Sequence, residues 1–194
     1  MISIEQIKKL REETGVSISE VKKALQEANG DVEKAKEKLS ALGRAVAGKK
    51  SERETKSGLV ESYIHPNAKT GVLLDIRCET DFVAKNPEFK NLAHELCLQI
   101  AAMNPLFVSD ADISAEILKE KKSEFEDQAA DSGKPAKIVE QIIDGKLNKF
   151  KEEVCLVLQP WVKDDSKKIK DVIEETIGKI GEKIEVKRFS RFEI

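Results

Sequence analysis

The 194-residue chain has two histidines, one tyrosine and one tryptophan, and only 5% of its residues are aromatic. So small a stock of proton-transfer groups, with no constellation joining them, argues against an enzyme. An excess of charge of one sign is missing too: 34 basic residues stand against 36 acidic ones, a formal net charge of -2. Recognition by phosphate neutralisation needs a basic excess, so no nucleic-acid partner is expected. No apolar run approaches the roughly 20 residues of a membrane span. The start, Met1-Ile2-Ser3-Ile4-Glu5, lacks the basic and apolar segments of a signal peptide. Cys78, Cys97 and Cys155 are odd in number, far apart and set among apolar neighbours. That pattern fits buried free thiols in a reducing cytosol and not a disulfide framework. A soluble, cytoplasmic protein with no membrane partner is the expectation.

What is present is charge and aliphatic bulk: 36% charged and 40% hydrophobic residues, enough for a packed core under a densely charged surface. Residues 1–56 carry 13 basic and 10 acidic side chains, the remainder 21 and 26. The mild asymmetry fits a modular chain better than a basic tail.

Ser3 and Gln6 have the spacing of a capping box, with Ile2 and Ile7 placed as its hydrophobic staple. Ser17 and Glu20 repeat the box, flanked by Val16 and Val21. Helices are therefore predicted to start near residues 4 and 18. Asn29-Gly30-Asp31 breaks the second and opens a third carrying Val32, Ala35 and Leu39, with Gly43 as its stop. Three short amphipathic helices over residues 1–43 make a compact domain that resembles ubiquitin-associated (UBA-like) folds, and Thr14-Gly15-Val16-Ser17 resembles the docking loop of such domains. Residues 44–57 lack periodic apolar positions and read as a solvated linker, helical or not in its first part.

Residues 58–194 read as a second, larger domain. Gly58–Ile64 and Gly71–Cys78 alternate as strands around a turn-rich His65–Thr70, with Val72, Leu74, Ile76 and Cys78 on the buried face. Asn86-Pro87-Glu88 marks a helix start, with a stripe of Phe89, Leu92, Ala93, Leu96, Ile100 and Met103 ending at Asn104-Pro105. Helices follow from about Ile113 to Ala130 and from Pro135 to Phe150, separated by Asp131-Ser132-Gly133-Lys134. Val154–Leu158 reads as a strand or as the end of that helix. Ser166 is expected to cap a last helix through Ile177, and Lys183–Ile194 to return as a strand with Ile184, Val186, Phe192 and Ile194 on one face. Phe189 breaks that alternation and implies a bulge or a second contact surface. The predicted fold class is α+β: a three-helix N-terminal domain, then a small antiparallel sheet with helices packed on one face.

Chemistry-bearing patterns are sparse. His94-x-x-Cys97 supplies two ligands where a zinc site needs three or four, and His65 sits in a turn. No glycine-rich phosphate loop follows either strand, so neither a metal nor a cofactor is expected. The exception is Cys78-Glu79-Thr80-Asp81-Phe82-Val83-Ala84-Lys85-Asn86: a large aromatic beside a carboxylate, in a connection between a strand and a helix, where apolar surface is available to a partner.

That stretch resembles the core signature of the elongation factor Ts family. Leu10–Gly15 with Lys22–Leu25 and Ala28–Asp31 resembles its N-terminal domain, and Ala101–Pro105 and Leu158–Asp164 resemble later stretches in the same order. The resemblance implies a guanine nucleotide exchange factor for elongation factor Tu, acting by binding and without covalent chemistry. It implies that Thr80, Asp81, Phe82 and Val83 form the partner-binding signature. Asp81 and Phe82 would enter the partner's G domain, the ring wedging between helices and disturbing the Mg²⁺ site and phosphate loop that hold GDP. The N-terminal domain would grip an outer helix of that G domain, with Arg11, Ile18 and Lys22 as contacts by position. The chain departs from the family at Val16–Val21 and at Asp75 and Arg77. It is also short: Leu106–Val154 is too small for both the second core subdomain and the helical hairpin of longer relatives, so a homodimer that packs two sheets together is expected. Two competing readings are an adaptor whose helices bind ubiquitin or a nascent chain, and a hydrolase using Cys97 and His94.

Overall fold

The computed structural model describes residues 2–130 and 135–194. Helix α1 (Ile4–Thr14) starts on a complete capping box: the Ser3 hydroxyl accepts the Gln6 N–H at 3.0 Å and the Gln6 side chain accepts the Ser3 N–H at 2.9 Å. Helix α2 (Ile18–Glu27) has half of one. Ser17 Oγ accepts the Glu20 N–H at 3.3 Å, but the Glu20 carboxylate takes the Ser17 hydroxyl instead of its N–H. Asp31 caps α3 (Val32–Lys50). Leu10, Val21, Ala24, Leu25, Ala35 and Leu39 form the core of these helices, with Ile2, Ile7 and Val16 at its margin.

The rest of the chain builds one larger core. Strands β1 (Ser57–Ile64) and β2 (Thr70–Cys78) form an antiparallel hairpin. A single turn of helix, α4 (Asp81–Ala84), leads to α5 (Pro87–Met103), capped by Asn86 with Pro87 in the first turn. Helices α6 (Ala115–Ala130) and α7 (Ala136–Val154) follow, then a two-stranded ribbon of β3 (Pro160–Trp161) and β4 (Asp164–Lys168). Helix α8 (Ile169–Ile180) and β5 (Ile184–Glu193) complete the chain, and β5 joins β2 to give a sheet of order β1-β2-β5, antiparallel throughout. Val72, Leu74, Ile76 and Cys78 are buried with the apolar faces of α5 and α8, the half-buried alternation expected of such a sheet. The protein is thus α+β, with helices first and a small antiparallel sheet after them.

Several boundaries differ from expectation, each for a physical reason. Gly43 does not stop α3, which runs on to Lys50. A Cβ on Gly178 of α8 would lie 3.0 Å from Gly43 Cα, and one on Gly43 would lie 3.1 Å from the Glu174 carbonyl oxygen. The glycine serves close helix packing and not termination. Ser166 is not a helix cap. It lies in β4 and bonds to Asp164, while α8 begins three residues later, with the Asp171 carboxylate accepting the Lys168 N–H at 3.0 Å. Val154–Leu158 is no strand: Val154 ends α7, Cys155 makes one parallel bridge with Phe107, and Leu156–Leu158 is a 3₁₀ turn. Met103 is exposed, so the buried stripe of α5 stops at Ile100. In β5 the register shifts between Val186 and Arg188, leaving Lys187 without a partner. The bulge reverses the alternation beyond it, so Phe189 packs on the core and Phe192 and Ile194 are exposed.

Helices α6 and α7 form a hairpin whose helices pack chiefly on each other, so Leu106–Val154 supplies the arm and not a second sheet. Lys146 Nζ lies 5.4 Å from the Phe125 ring centre and Lys121 Nζ lies 5.7 Å from that of Phe150, a reciprocal pair of cation–π contacts across the arm. The predicted turn Asp131–Lys134 lies outside the described residues. At the base, the Leu106 and Phe107 N–H groups both donate to the Val154 carbonyl. The buried Gln159 amide donates to the Glu153 carbonyl at 2.8 Å and accepts from Gln99 at 3.2 Å.

Two glycine substitutions separate packing from propensity. Gly178→Val forces α8 away from α3 and is expected to lower stability by about 1–3 kcal/mol, as overpacking does. Gly145→Ala, where an added Cβ meets open space within α7, is expected to raise it by about 0.5–1 kcal/mol. Urea denaturation checks both, and a Gly178 variant as stable as the parent would deny the close helix contact.

Candidate partner-binding site

The end of β2 carries the chain out of the sheet at Cys78 and into α4 within two residues. Thr80 sits in extended conformation as the cap of α4, and its Oγ1 accepts the Val83 N–H at 3.4 Å. A four-residue helix has almost no stability of its own. Tertiary contact must hold it, and Val83 supplies the apolar part by burying its side chain in the main core. Phe82 cannot follow, because one residue along a helix turns the side chain about 100° away. It is 82% exposed, whereas Phe89, seven residues later, is wholly buried. Asp81 is also open to solvent. Its carboxylate meets Lys85 Nζ at 2.8 Å, and this hydrogen-bonded ion pair holds its pKa below the ordinary value. The protein thus presents an aromatic ring and a carboxylate side by side on a short, braced turn.

The brace comes from the far end of the chain. Gly181 ends α8 in the left-handed conformation (φ 80°), a position that suits glycine. The turn it makes brings Glu182 to Thr80. Glu182 Oε2 accepts the Thr80 N–H at 3.0 Å, and Oε1 accepts the Thr80 hydroxyl at 2.7 Å. One residue away on each side the contact is returned: Glu79 Oε1 accepts the Lys183 N–H at 2.7 Å. Arg53, just beyond α3, donates to Glu79 Oε2 at 3.1 Å. The Lys183 N–H and then Arg53 hold the Glu79 carboxyl below the usual carboxylate range.

A model of the family Elongation factor TS matches residues 2–194. The chain is 52% identical over 193 residues to Elongation factor Ts of Pseudothermotoga lettingae, covering all of this chain and 98% of that protein. Identity to Elongation factor Ts of Thermotoga maritima is also 52%, with 96% of that protein covered, and to that of Desulforamulus reducens 49%, with 89% covered. The chain belongs to the elongation factor Ts family.

In this chain the four residues of the signature fall together on α4 and its cap, with Thr80 and Val83 turned to the body and Asp81 and Phe82 to solvent. Arg11, Ile18 and Lys22 are all exposed on the N-terminal helices. Ile18 and Lys22, four residues apart, share one face of α2, while Arg11 lies in the last turn of α1. The connection from there to α4 runs through α3 and α8. Asp75 and Arg77, the departures on β2, form a bidentate pair at 2.7 and 3.0 Å, so the changed residues satisfy each other. Sequence reasoning missed Glu182, Lys183 and Arg53. Only the glycine before Glu182 hinted at a turn, and nothing local points from it to a residue 102 positions earlier.

The rest of the surface offers little chemistry. Among the described residues no group of three or more His, Cys, Asp or Glu could hold a metal ion. No helix there is long and apolar enough to cross a membrane. Cys78, Cys97 and Cys155 are free and buried. Burial pushes the Cys97 thiol up to about 12, which disarms it as a nucleophile near neutral pH. His94 lies 3.7 Å from Glu61 and edge-on to Tyr63 on the exposed flank of α5.

Because Glu79 is held below its ordinary pKa in the folded protein, its contribution to stability is present above that value and is lost as pH falls through the lowered one. Glu79→Gln keeps an acceptor for the Lys183 N–H but loses the ion pair with Arg53. The variant is expected to unfold at lower temperature than the parent at pH 7, with the gap closing as pH falls below about 4. A gap that stays the same down to about pH 3 would mean that the charge contributes nothing.

Proposed function

We propose that the protein is a guanine nucleotide exchange factor that binds elongation factor Tu in its GDP-bound form and releases the nucleotide by inserting Asp81 and Phe82 into the G domain. The observation that carries the reading is the exposure of Phe82 on a turn fixed from both sides. Release of GDP needs no covalent step. It needs only a ligand that prefers the nucleotide-free conformation, and such a ligand weakens GDP binding by the same factor by which GDP weakens its own. A phenyl ring wedged between helices supplies the apolar contact that dominates hot spots, and the neighbouring carboxylate supplies charge near the Mg²⁺ and phosphate-loop site. The three N-terminal helices act as a UBA-like docking domain, with Arg11, Ile18 and Lys22 against an outer helix of the G domain. The working division is a docking domain over residues 1–43, a connection over 44–57 whose first part continues α3, and a core domain over 58–194. The setting is the cytoplasm, where translation takes place, and no cofactor takes part.

Burying a phenylalanine side chain contributes about 1.5–3 kcal/mol, so Phe82→Ala is expected to slow factor-stimulated GDP release by about 10- to 100-fold with the fold kept. Stopped-flow release of a fluorescent GDP analogue from elongation factor Tu reads this directly. No acceleration by the parent protein would overturn the exchange reading, and full activity in Phe82→Ala would overturn the wedge.

The outer face of the sheet supports a homodimer. Val60, Ile64, Leu73 and Phe192 are exposed there, more apolar surface than a small sheet normally leaves to water. Two copies packed about a two-fold axis bury it by an isologous contact. Light scattering at micromolar protein is expected to give twice the 21.7 kDa of one chain, and Leu73→Lys to give the single-chain mass. A parent protein of single-chain mass would remove the dimer.

A further inference from the structure

Helix α4 is too short to fix the direction of Phe82 by its own hydrogen bonds, and its apolar hold on the core is small, with Val83 buried and Ala84 half-buried against it. A second attachment is needed, and Glu182 provides it. Both of its carboxylate oxygens converge on Thr80, one on the backbone N–H and one on the hydroxyl, and Thr80 is the residue from which α4 is nucleated. The same hydroxyl accepts the Val83 N–H, and the Thr80 carbonyl accepts the Ala84 N–H at 3.2 Å. Glu182 therefore holds α4 at the atoms from which its few hydrogen bonds spring. The bond returned by Glu79 to the Lys183 N–H stops the two segments from sliding past each other. Glu182 lies outside the signature, and both of its carboxylate oxygens are taken up by Thr80.

We propose that Glu182 is a positioning residue for nucleotide exchange, acting through Thr80 to aim Phe82. The proposal rests on the exchange reading above. An unbraced α4 still carries its aromatic ring, but spends part of its time in orientations that cannot enter the partner, so the step that fails is nucleotide displacement after docking. Glutamine can replace glutamate, since its carbonyl accepts the Thr80 N–H while its amide donates to the Thr80 hydroxyl. Alanine cannot.

The test is GDP release from elongation factor Tu at increasing concentrations of full-length factor. Glu182→Ala is expected to lower the maximal release rate about tenfold while the half-saturating concentration changes less than twofold, and Glu182→Gln is expected to restore most of the rate. On a Phe82→Ala background, Glu182→Ala is expected to add nothing, because its effect passes through the ring. A saturated rate within twofold of the parent, or losses that simply multiply in the double variant, would overturn the proposal. If Glu182→Ala does not fold, Thr80→Val, which keeps the shape and the backbone bond to Glu182 but loses the hydroxyl's bonds to Glu182 and to the Val83 N–H, takes its place in both comparisons, and the same two results would overturn the proposal. Hydrogen exchange separates this proposal from the exchange reading. The Val83 and Ala84 amides are expected to exchange at least tenfold faster in Glu182→Ala, with the strands unaffected. If the parent protein stimulates no GDP release, that measurement alone decides: faster exchange upholds the brace and unchanged protection removes it.

Discussion

Two helices can approach to backbone contact only where both lack a side chain, and Gly43 and Gly178 meet that condition. The contact lets α3, which begins in the N-terminal core, lie against α8, which belongs to the core of the sheet. The C-terminal end of α3 gains further hold beyond it: Lys50 donates to the Gly181 carbonyl and Arg53 pairs with Glu79. One helix pair thus ties together the small helical core, the sheet core and the turn that exposes Phe82. Had either glycine carried a side chain, α8 would stand off, and with it the segment that reaches Thr80.

The arrangement matches the task proposed for the protein. A protein that works by binding must keep its contacting groups in one arrangement before the partner arrives, because ordering them afterwards would consume binding free energy. Stiffness here is concentrated where the chain is intrinsically weakest, in a helix of four residues. It comes from polar contacts at its cap, one apolar anchor at its third residue and a salt bridge across it. The charged groups involved lie at the rim of the core, where solvation remains available and ion pairing costs little.

Most elements were legible in the sequence because their signals are local. Ser3 with Gln6, Asn86 with Pro87 and the alternation from Val72 to Cys78 each report a structure completed within a few residues, and each formed as read. What escaped depended on distant partners. Gly43 has the same identity in a helix stop as in a helix crossing, and only α8 distinguishes the two. Ser166 carries a good cap side chain, but β3 claims its segment as a strand partner first. Phe189 did announce a bulge, since its phase conflicts with Val186, yet the shift turned out to bring Phe189 inward and send Phe192 outward. The aromatic and acidic pair of the site could be read because it is contiguous. Its support could not, because Glu182 meets Thr80 across 102 residues of chain.

The helical arm leaves the body and returns to it through neighbouring points, with Leu106 and Phe107 clasped to Val154 and Gln159 closing the base. Its two helices satisfy each other, so the body asks nothing of the arm's length. Whole turns added to or taken from both helices would leave these closing contacts as they are. Such changes would redraw the outline of the molecule while leaving its folding problem the same.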